Sequence, residues 1–182
     1  MRKITILNFS GRNNGNCAAV TDHIMNAFKN TDICSYCVAS IFNPCNSCDY
    51  QCLKPGNICP NLNDHQRKFM ERLLESDLIY YIIPNYCGVP CANYYAFNER
   101  NVGYFNSDRS IIGKYMSLKK RFVMISNTES PAFEAVVKQQ CTDEAKVVYL
   151  KSSTYNRSSI AGDLMTSPDA MDDLLTFLAA DL

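Results

Sequence analysis

Ser10-Gly11-Arg12-Asn13-Asn14-Gly15-Asn16-Cys17 is a polar loop with two glycines, set between two apolar runs of different period. Before it, residues 4–8 (Ile-Thr-Ile-Leu-Asn) read as a buried strand. After it, Val20, Ile24, Ala27 and Phe28 recur at helical spacing through residues 18–28. A strand, a short loop and a helix in that order aim free loop amides and the positive end of a helix dipole at one point. Arg12 adds a full charge, and Ser10, Asn14, Asn16 and the amide of Cys17 add donors. A phosphate monoester is the anion such a cradle suits. The competing reading is a polar strand-to-helix turn with no ligand.

Two nucleotide-binding alternatives fail on spacing. None of the seven glycines fall in a G-x-G-x-x-G pattern, and Gly113-Lys114 is followed by Tyr115 where a Walker loop needs Ser or Thr. Length and composition narrow the class further. With 182 residues, 47% of them apolar, one domain spanning 1–182 has enough material for a core. The 18 basic and 18 acidic residues cancel and form no long basic run, which argues against nucleic acid as partner. No stretch approaches the roughly 20 apolar residues of a membrane span. The apolar part of the first ten residues is too short for a signal peptide, and this predicts a cytoplasmic protein.

Downstream, the pattern predicts alternating strands and helices. Strands are expected at 32–40, 78–83, 121–126 and 146–150, and helices at 61–76, 91–100 and 132–141, with a last helix after Ser167-Pro168. The last helix would bury Met171, Leu174, Leu175 and Leu178. Residues 101–113 read as polar and irregular, a mobile flap or a subunit contact. Residues 78–83 carry no polar alternation, the mark of a strand covered on both faces. Five strands alternating with five helices make a three-layer α/β domain, a doubly wound five-stranded parallel sheet. Ligands of such sheets sit beyond the carboxyl ends of the strands. The segments after three strands are therefore expected to converge: the opening loop, Pro84-Asn85-Tyr86-Cys87-Gly88, and Ser126-Asn127-Thr128. Tyr86 is placed to stack on a flat ring, and Gly88 to let backbone approach it.

Ten cysteines are the compositional anomaly. Cys34 and Cys37 fall on a predicted strand and read as ordinary side chains. Cys45, Cys48, Cys52 and Cys59 lie in the cysteine-rich loop 43–60 with spacing C-x2-C-x3-C-x6-C. Four thiolates so placed can wrap an iron–sulfur cluster or a zinc ion. Free thiols and local disulfides are the alternatives.

These motifs together resemble the NADPH-dependent FMN reductase and iron–sulfur flavoprotein family, of flavodoxin-like fold. The family's G-S-P-R-x-x-G-N-T loop stands here as residues 9–17, and its P-x-Y-[FW]-G loop as residues 84–88. The Asp-Arg pair that closes the following helix stands as Glu99-Arg100, and the cysteine run also matches. The departures are Phe9, Gly11, Cys17 and Cys87, and the extra residue between Cys48 and Cys52. A thiol for a hydroxyl at Cys17 costs one hydrogen bond, about 0.5–1.5 kcal/mol. The resemblance implies an FMN-dependent oxidoreductase in which NAD(P)H is co-substrate and a quinone, free flavin or other small molecule takes the electrons. Ser10, Arg12, Asn14, Asn16 and Cys17 would hold the phosphate, and residues 84–88 with Ser126, Asn127 and Thr128 the ring. A 4Fe-4S cluster would sit on the four loop cysteines, and the assembly would be a homodimer or homotetramer. No side chain is expected to act as acid or base, since His23 and His65 both fall in helical segments. A second reading is a flavin-binding electron carrier or redox sensor, with Cys87 and Cys91 as a responsive pair. A third is a structural zinc protein on the same scaffold.

Overall fold

The apolar run before the opening loop forms strand β1 (Lys3–Asn8), and the loop leads into helix α1 (Asn16–Ala27). The chain continues as β2 (Asp32–Cys37), α2 (Gln66–Leu74), β3 (Leu78–Tyr86), β4 (Val89–Pro90), α3 (Ala92–Ser107) and α4 (Ile111–Ser117). It ends with β5 (Lys120–Ser126), α5 (Pro131–Lys138), β6 (Lys146–Lys151) and α6 (Pro168–Ala179). The computed structural model describes residues 1–40, 45, 48–54, 59–61, 65–127, 130–142 and 145–182.

Five strands run parallel in the order β2-β1-β3-β5-β6, and β4 folds back antiparallel on the end of β3. Counting only the parallel strands, this is the doubly wound order 2-1-3-4-5, whose direction reverses between β1 and β3. The alternation of side chains along β3 separates the two faces. Leu78, Tyr80 and Ile82 pack with Val20 and Ile24 of α1 and with Leu174 and Leu178 of α6. Ile79, Tyr81 and Ile83 pack with Phe69 of α2, Phe97 of α3, Tyr115 of α4 and Phe133 of α5. Three layers result, and the central strands are buried on both faces.

Helix starts follow the expected chemistry. Ser130 and Ser167 cap α5 and α6, their hydroxyls accepting from the amides of Phe133 (3.2 Å) and Ala170 (3.5 Å). Leu175 is exposed, however, and the buried stripe of α6 is Ala170, Leu174 and Leu178.

Several boundaries differ from the sequence reading. Residues 101–113 are not irregular: α3 continues to Ser107, and α4 makes a sixth helix. The polar look of that stretch misled, because Arg100 and Asn101 point inward. Arg100 donates to the Asn61 carbonyl and to Gln66 Oε1, both at 2.9 Å, and Gln66 donates to Asn101 at 3.3 Å. β2 ends at Cys37 in a 3-10 turn, Val38–Ser40. α2 begins at Gln66; the expected start of that helix falls partly on 62–64, outside the described residues. The segment after residue 83 is not a loop but the rest of β3, a two-residue turn and β4.

Beneath the opposite edge of the sheet, Asp181 ties the last helix to β5. Arg121 donates to its two carboxylate oxygens at 2.6 and 2.8 Å, Lys119 at 2.6 Å, and the Tyr80 hydroxyl at 3.2 Å. Burial alone would raise the Asp181 pKa, but the hydrogen bonds from Arg121 and Lys119 outweigh it and hold the carboxyl below its ordinary value. Among the described residues, no helix is long and apolar enough to cross a membrane.

Candidate functional site

Beyond the carboxyl ends of β1, β3 and β5 lies a cavity of about 290 Å3. Its walls are Ser10, Arg12, Gly15, Asn16 and Cys17 from the first loop, and Pro84, Asn85, Tyr86 and Cys87 from the β3–β4 hairpin. Ile125, Ser126 and Asn127 close it at the end of β5, and Ser159 and Ile160 come from the segment after β6.

The first loop is built to receive an anion. The Ser10 amide donates to Asn8 Oδ1 (2.9 Å), and the Ser10 hydroxyl accepts from the Arg12 amide (3.2 Å), which folds the loop back on its strand. The Ala19 amide is the first of α1 with an acceptor, the Gly15 carbonyl at 3.1 Å. The amides of positions 13–18 have none among the described residues. Gly15 offers no capping side chain, and no acidic residue occupies the first turn, so the positive end of α1 is uncompensated. Arg12 packs across Gly15, within about 4 Å of the position a Cβ would take there.

The opposite end is built for a flat polar ring. Asn85 is buried; its Nδ2 donates to Ser126 Oγ at 2.9 Å, while its Oδ1 has no donor among the described residues. A buried acceptor left unpaired costs about 1–3 kcal/mol, which a ligand N–H in the cavity would recover. Tyr86 is 58% exposed and stands at the rim. Between Tyr86 and Val89, Cys87 (φ 53°) and Gly88 (φ 84°) form a two-residue turn with both residues in the left-handed region. Gly88 suits that conformation; Cys87 is held there against its preference and projects into solvent at the cavity mouth.

Two buried thiols, Cys17 in the wall and its neighbour Cys91, are poorly reactive. Cys17 is buried, and burial, then the neighbouring Cys91, push its pKa up to about 12 despite the Ser10 hydrogen bond and Arg12. Burial raises the Cys91 thiol as well. At pH 8 Cys17 is therefore overwhelmingly the thiol. Iodoacetamide at that pH should therefore label Cys87 well before Cys17 or Cys91, as peptide mapping by mass spectrometry would show. Equal labelling of the three would contradict this geometry.

Of the expected residues, Ser10, Arg12, Asn16, Cys17, Pro84, Asn85, Tyr86, Cys87, Ser126 and Asn127 line the cavity. Asn14 and Gly88 do not line the cavity: the Asn14 carbonyl faces Gly162, and the Gly88 carbonyl accepts from the Ser130 hydroxyl. Thr128 lies outside the described residues. Asn16 lines the cavity, but its carboxamide is committed elsewhere. It donates to the Ser158 carbonyl (2.9 Å) and accepts from the Leu164 amide (3.0 Å), leaving only its backbone for an anion.

Cys87 and Cys91 are not a pair. The Cys91 amide bonds the Pro84 carbonyl (3.1 Å), at the base of the hairpin whose tip is Cys87. Cys87 is exposed at the tip and Cys91 buried at the base, and both are free thiols. Ser159 and Ile160 were missed. They also follow a strand on the same edge, and applying the strand-end rule to β6 would have found them.

Cys45, Cys48, Cys52 and Cys59 gather against α3. A Cβ on Gly103 would lie 3.1 Å from the Cys59 Cβ and 3.2 Å from its sulfur, so only glycine lets that thiol seat there. Burial first, then a hydrogen bond with Cys48, pushes the Cys45 pKa up to about 11, and burial with Cys59 and Cys48 raises Cys52. Among the described residues no three Cys, His, Asp or Glu side chains converge as a metal site. As placed among the described residues, these side chains do not fit a cluster or zinc ion. Cys34 and Cys37 sit on β2 as expected, near the Thr5 hydroxyl (3.6 Å) and the Ser10 carbonyl (3.4 Å).

No family model and no curated protein sequence matches the chain. Solved structures do. The Trp repressor binding protein from Bacillus subtilis is similar at TM-score 0.66 and 12% identity, over 97% of each chain. RosB with bound 8-demethyl-8-formylriboflavin-5'-phosphate is similar at TM-score 0.62 and 13% identity, over 99% of this chain and 81% of the other. A flavoenzyme NAD(P)H:(acceptor) oxidoreductase from Paracoccus denitrificans is similar at TM-score 0.57 and 10% identity, over 98% and 96%. The fold is flavodoxin-like, shared almost end to end with proteins that have little sequence in common with it.

Proposed function

We propose that the protein is an FMN-dependent NAD(P)H oxidoreductase that passes electrons to a quinone, flavin or similar small acceptor. One juxtaposition supports this reading above all. A cradle of amides with an arginine and the buried side-chain carbonyl of Asn85 line a single cavity, and those amides and that carbonyl have no partners among the described residues. A phosphorylated flat heterocycle satisfies both. A structurally similar protein carries a riboflavin-5'-phosphate derivative, and another is an NAD(P)H oxidoreductase.

In this reading the amides of positions 13–18 and Arg12 bind the phosphate, and Ser10 fixes the loop. Asn85 accepts a ring N–H, oriented by its bond to Ser126, and Tyr86 at the open rim offers a face for stacking. FMN supplies the two-electron chemistry when bound. The titratable wall residues do not move protons. Cys17 stays protonated, and burial, with Cys17 and Cys91 nearby, raises the Tyr86 hydroxyl above its ordinary value. A reduced nicotinamide and then the acceptor would enter at the rim between Tyr86 and Ile160, both exposed.

Titration of the apoprotein with FMN, followed by flavin fluorescence, tests the first half. Saturable quenching below about 10 µM is the expected result; absence of binding would sink the reading. NADPH or NADH oxidation that requires both FMN and a quinone tests the second half. Reduction by a partner protein alone would point to an electron carrier. Iron analysis of the anaerobically purified sample decides separately whether the four loop cysteines take up a cluster.

A further inference from the structure

A second hollow, of about 160 Å3, opens beside the first loop, between α1 and β2. The β1–β2 register explains its floor. Ser35 pairs with Ile6 and Cys37 with Asn8, so these side chains share the sheet face that Ile4 and Ile6 turn toward α1. At the carboxyl edge the apolar packing stops. Asn8, Ser35 and Cys37 line the hollow from the strands, Arg12 from the loop, and Ala18 and Asp22, one helical turn apart, from α1. Three of the polar groups are unspent. Asn8 gives its Oδ1 to the Ser10 amide, but its Nδ2, the Ser35 hydroxyl and the Asp22 carboxylate have no partner among the described residues. Arg12 is common to this hollow and to the cavity of the cradle.

We propose that this second hollow is a nucleotide subsite for a ribose 5'-phosphate, with the phosphate against Arg12 and the vicinal hydroxyls of the sugar on Asp22. The charges of its walls select that chemistry. A metal ion or an ammonium group suits Asp22 but meets the fixed charge of Arg12; a bare anion suits Arg12 but meets Asp22. A ribose phosphate answers both, because its sugar is neutral and brings two adjacent O–H donors to a carboxylate that only accepts. Asp22 lies about 9 Å along α1 from Asn16, which keeps the diol away from the phosphate end. Ser35 and Asn8 Nδ2 add donors for the other sugar oxygens. A phosphate on the 2'-hydroxyl sets like charge against Asp22 and is excluded. Two molecules bring such a group: a dinucleotide flavin, through its adenylate half, and the reduced nicotinamide coenzyme, through its own. Only this choice of source rests on the flavin reading above.

Calorimetric titration of the FMN-loaded protein, whose cradle is already filled, with 5'-AMP tests the subsite. Saturable binding is the expected result, with 2'-deoxy-AMP about tenfold weaker for the lost hydroxyl and adenosine 2',5'-bisphosphate weaker still. Asp22→Ala should weaken 5'-AMP about tenfold or more and bring the deoxynucleotide level with it. Asp22 is exposed and lies outside the first cavity, so FMN affinity should stay within about threefold, which shows that the variant is folded. Two further arms separate the sources. FAD binding about tenfold tighter than FMN, an advantage lost in Asp22→Ala, assigns the adenylate to the flavin. NADH displacing 5'-AMP from the FMN-loaded protein, with NADPH about tenfold less effective, assigns it to the coenzyme. Absence of 5'-AMP binding, or equal binding by wild type and Asp22→Ala, overturns the proposal and leaves the flavin reading standing. If FMN itself does not bind, the flavin reading falls, and the same 5'-AMP titration of the apoprotein still decides the subsite.

Discussion

Arg12→Ala should weaken FMN binding about 30-fold while leaving riboflavin nearly unaffected. A charge-assisted hydrogen bond between guanidinium and phosphate is worth about 1.5–3 kcal/mol, and 2 kcal/mol is about a 30-fold change in Kd. Among the described residues no acidic side chain lines the cavity, and the first turn of α1 has none either. Riboflavin has no phosphate and reads only the Asn85 end, which makes it the internal control. Arg12 also holds the Ile160 carbonyl. Equal loss for FMN and riboflavin would mean that Arg12 supports the loop and does not bind phosphate.

The largest effect on stability is expected far from the cavity, at Asp181. Asp181→Ala leaves Arg121 buried beneath the sheet without its bidentate partner, and removes the acceptor of Lys119 and Tyr80. Removing one partner of a buried ion pair costs about 3–5 kcal/mol. For a chain of this size that lowers Tm by about 6–15 °C. The pH dependence has a definite sign. The folded state holds the Asp181 carboxyl below its ordinary value, so its contribution is fully present above the unfolded pKa, about 4. That contribution is lost as pH falls from there through the folded value. Thermal melts from pH 7 to pH 3 should thus converge for wild type and variant at the acid end. A gap in Tm that stays constant with pH would contradict this account.

The sheet was legible in the sequence because its evidence is local. Residues 78–83 and 122–125 are apolar without alternation, as a strand covered on both faces is. Ser130-Pro131 and Ser167-Pro168 announce helix starts by capping chemistry that needs no tertiary context. The first cradle was legible for the same reason. What was not legible depends on contacts distant in the chain. The second half of α3 looked like loop because its buried residues are polar and find partners some 35 positions earlier. The role of Asn16 could not be read from its own loop, since Ser158 and Leu164, which occupy its carboxamide, lie more than 140 positions later. Cys87 and Cys91 looked like neighbours along the chain; the hairpin register puts them at opposite ends of it.

Phe9 is the residue through which the two halves of the cavity become one object. Its ring is buried among Tyr81, Tyr94 and Phe97, with centroids 5.8, 5.5 and 5.6 Å away. Its amide bonds the Ile82 carbonyl (3.0 Å), and its carbonyl accepts from Asn93 Nδ2 (2.9 Å) and faces the Cys91 sulfur (3.5 Å). The residue just before the cradle is thus bolted to the strand that leads into the hairpin and to the helix that leaves it. The span between amide cradle and Asn85 is set before any ligand arrives. A molecule long enough to touch both then behaves as a chelate. Its second end engages at high effective concentration, and the loss of translational freedom is incurred once for the two contacts.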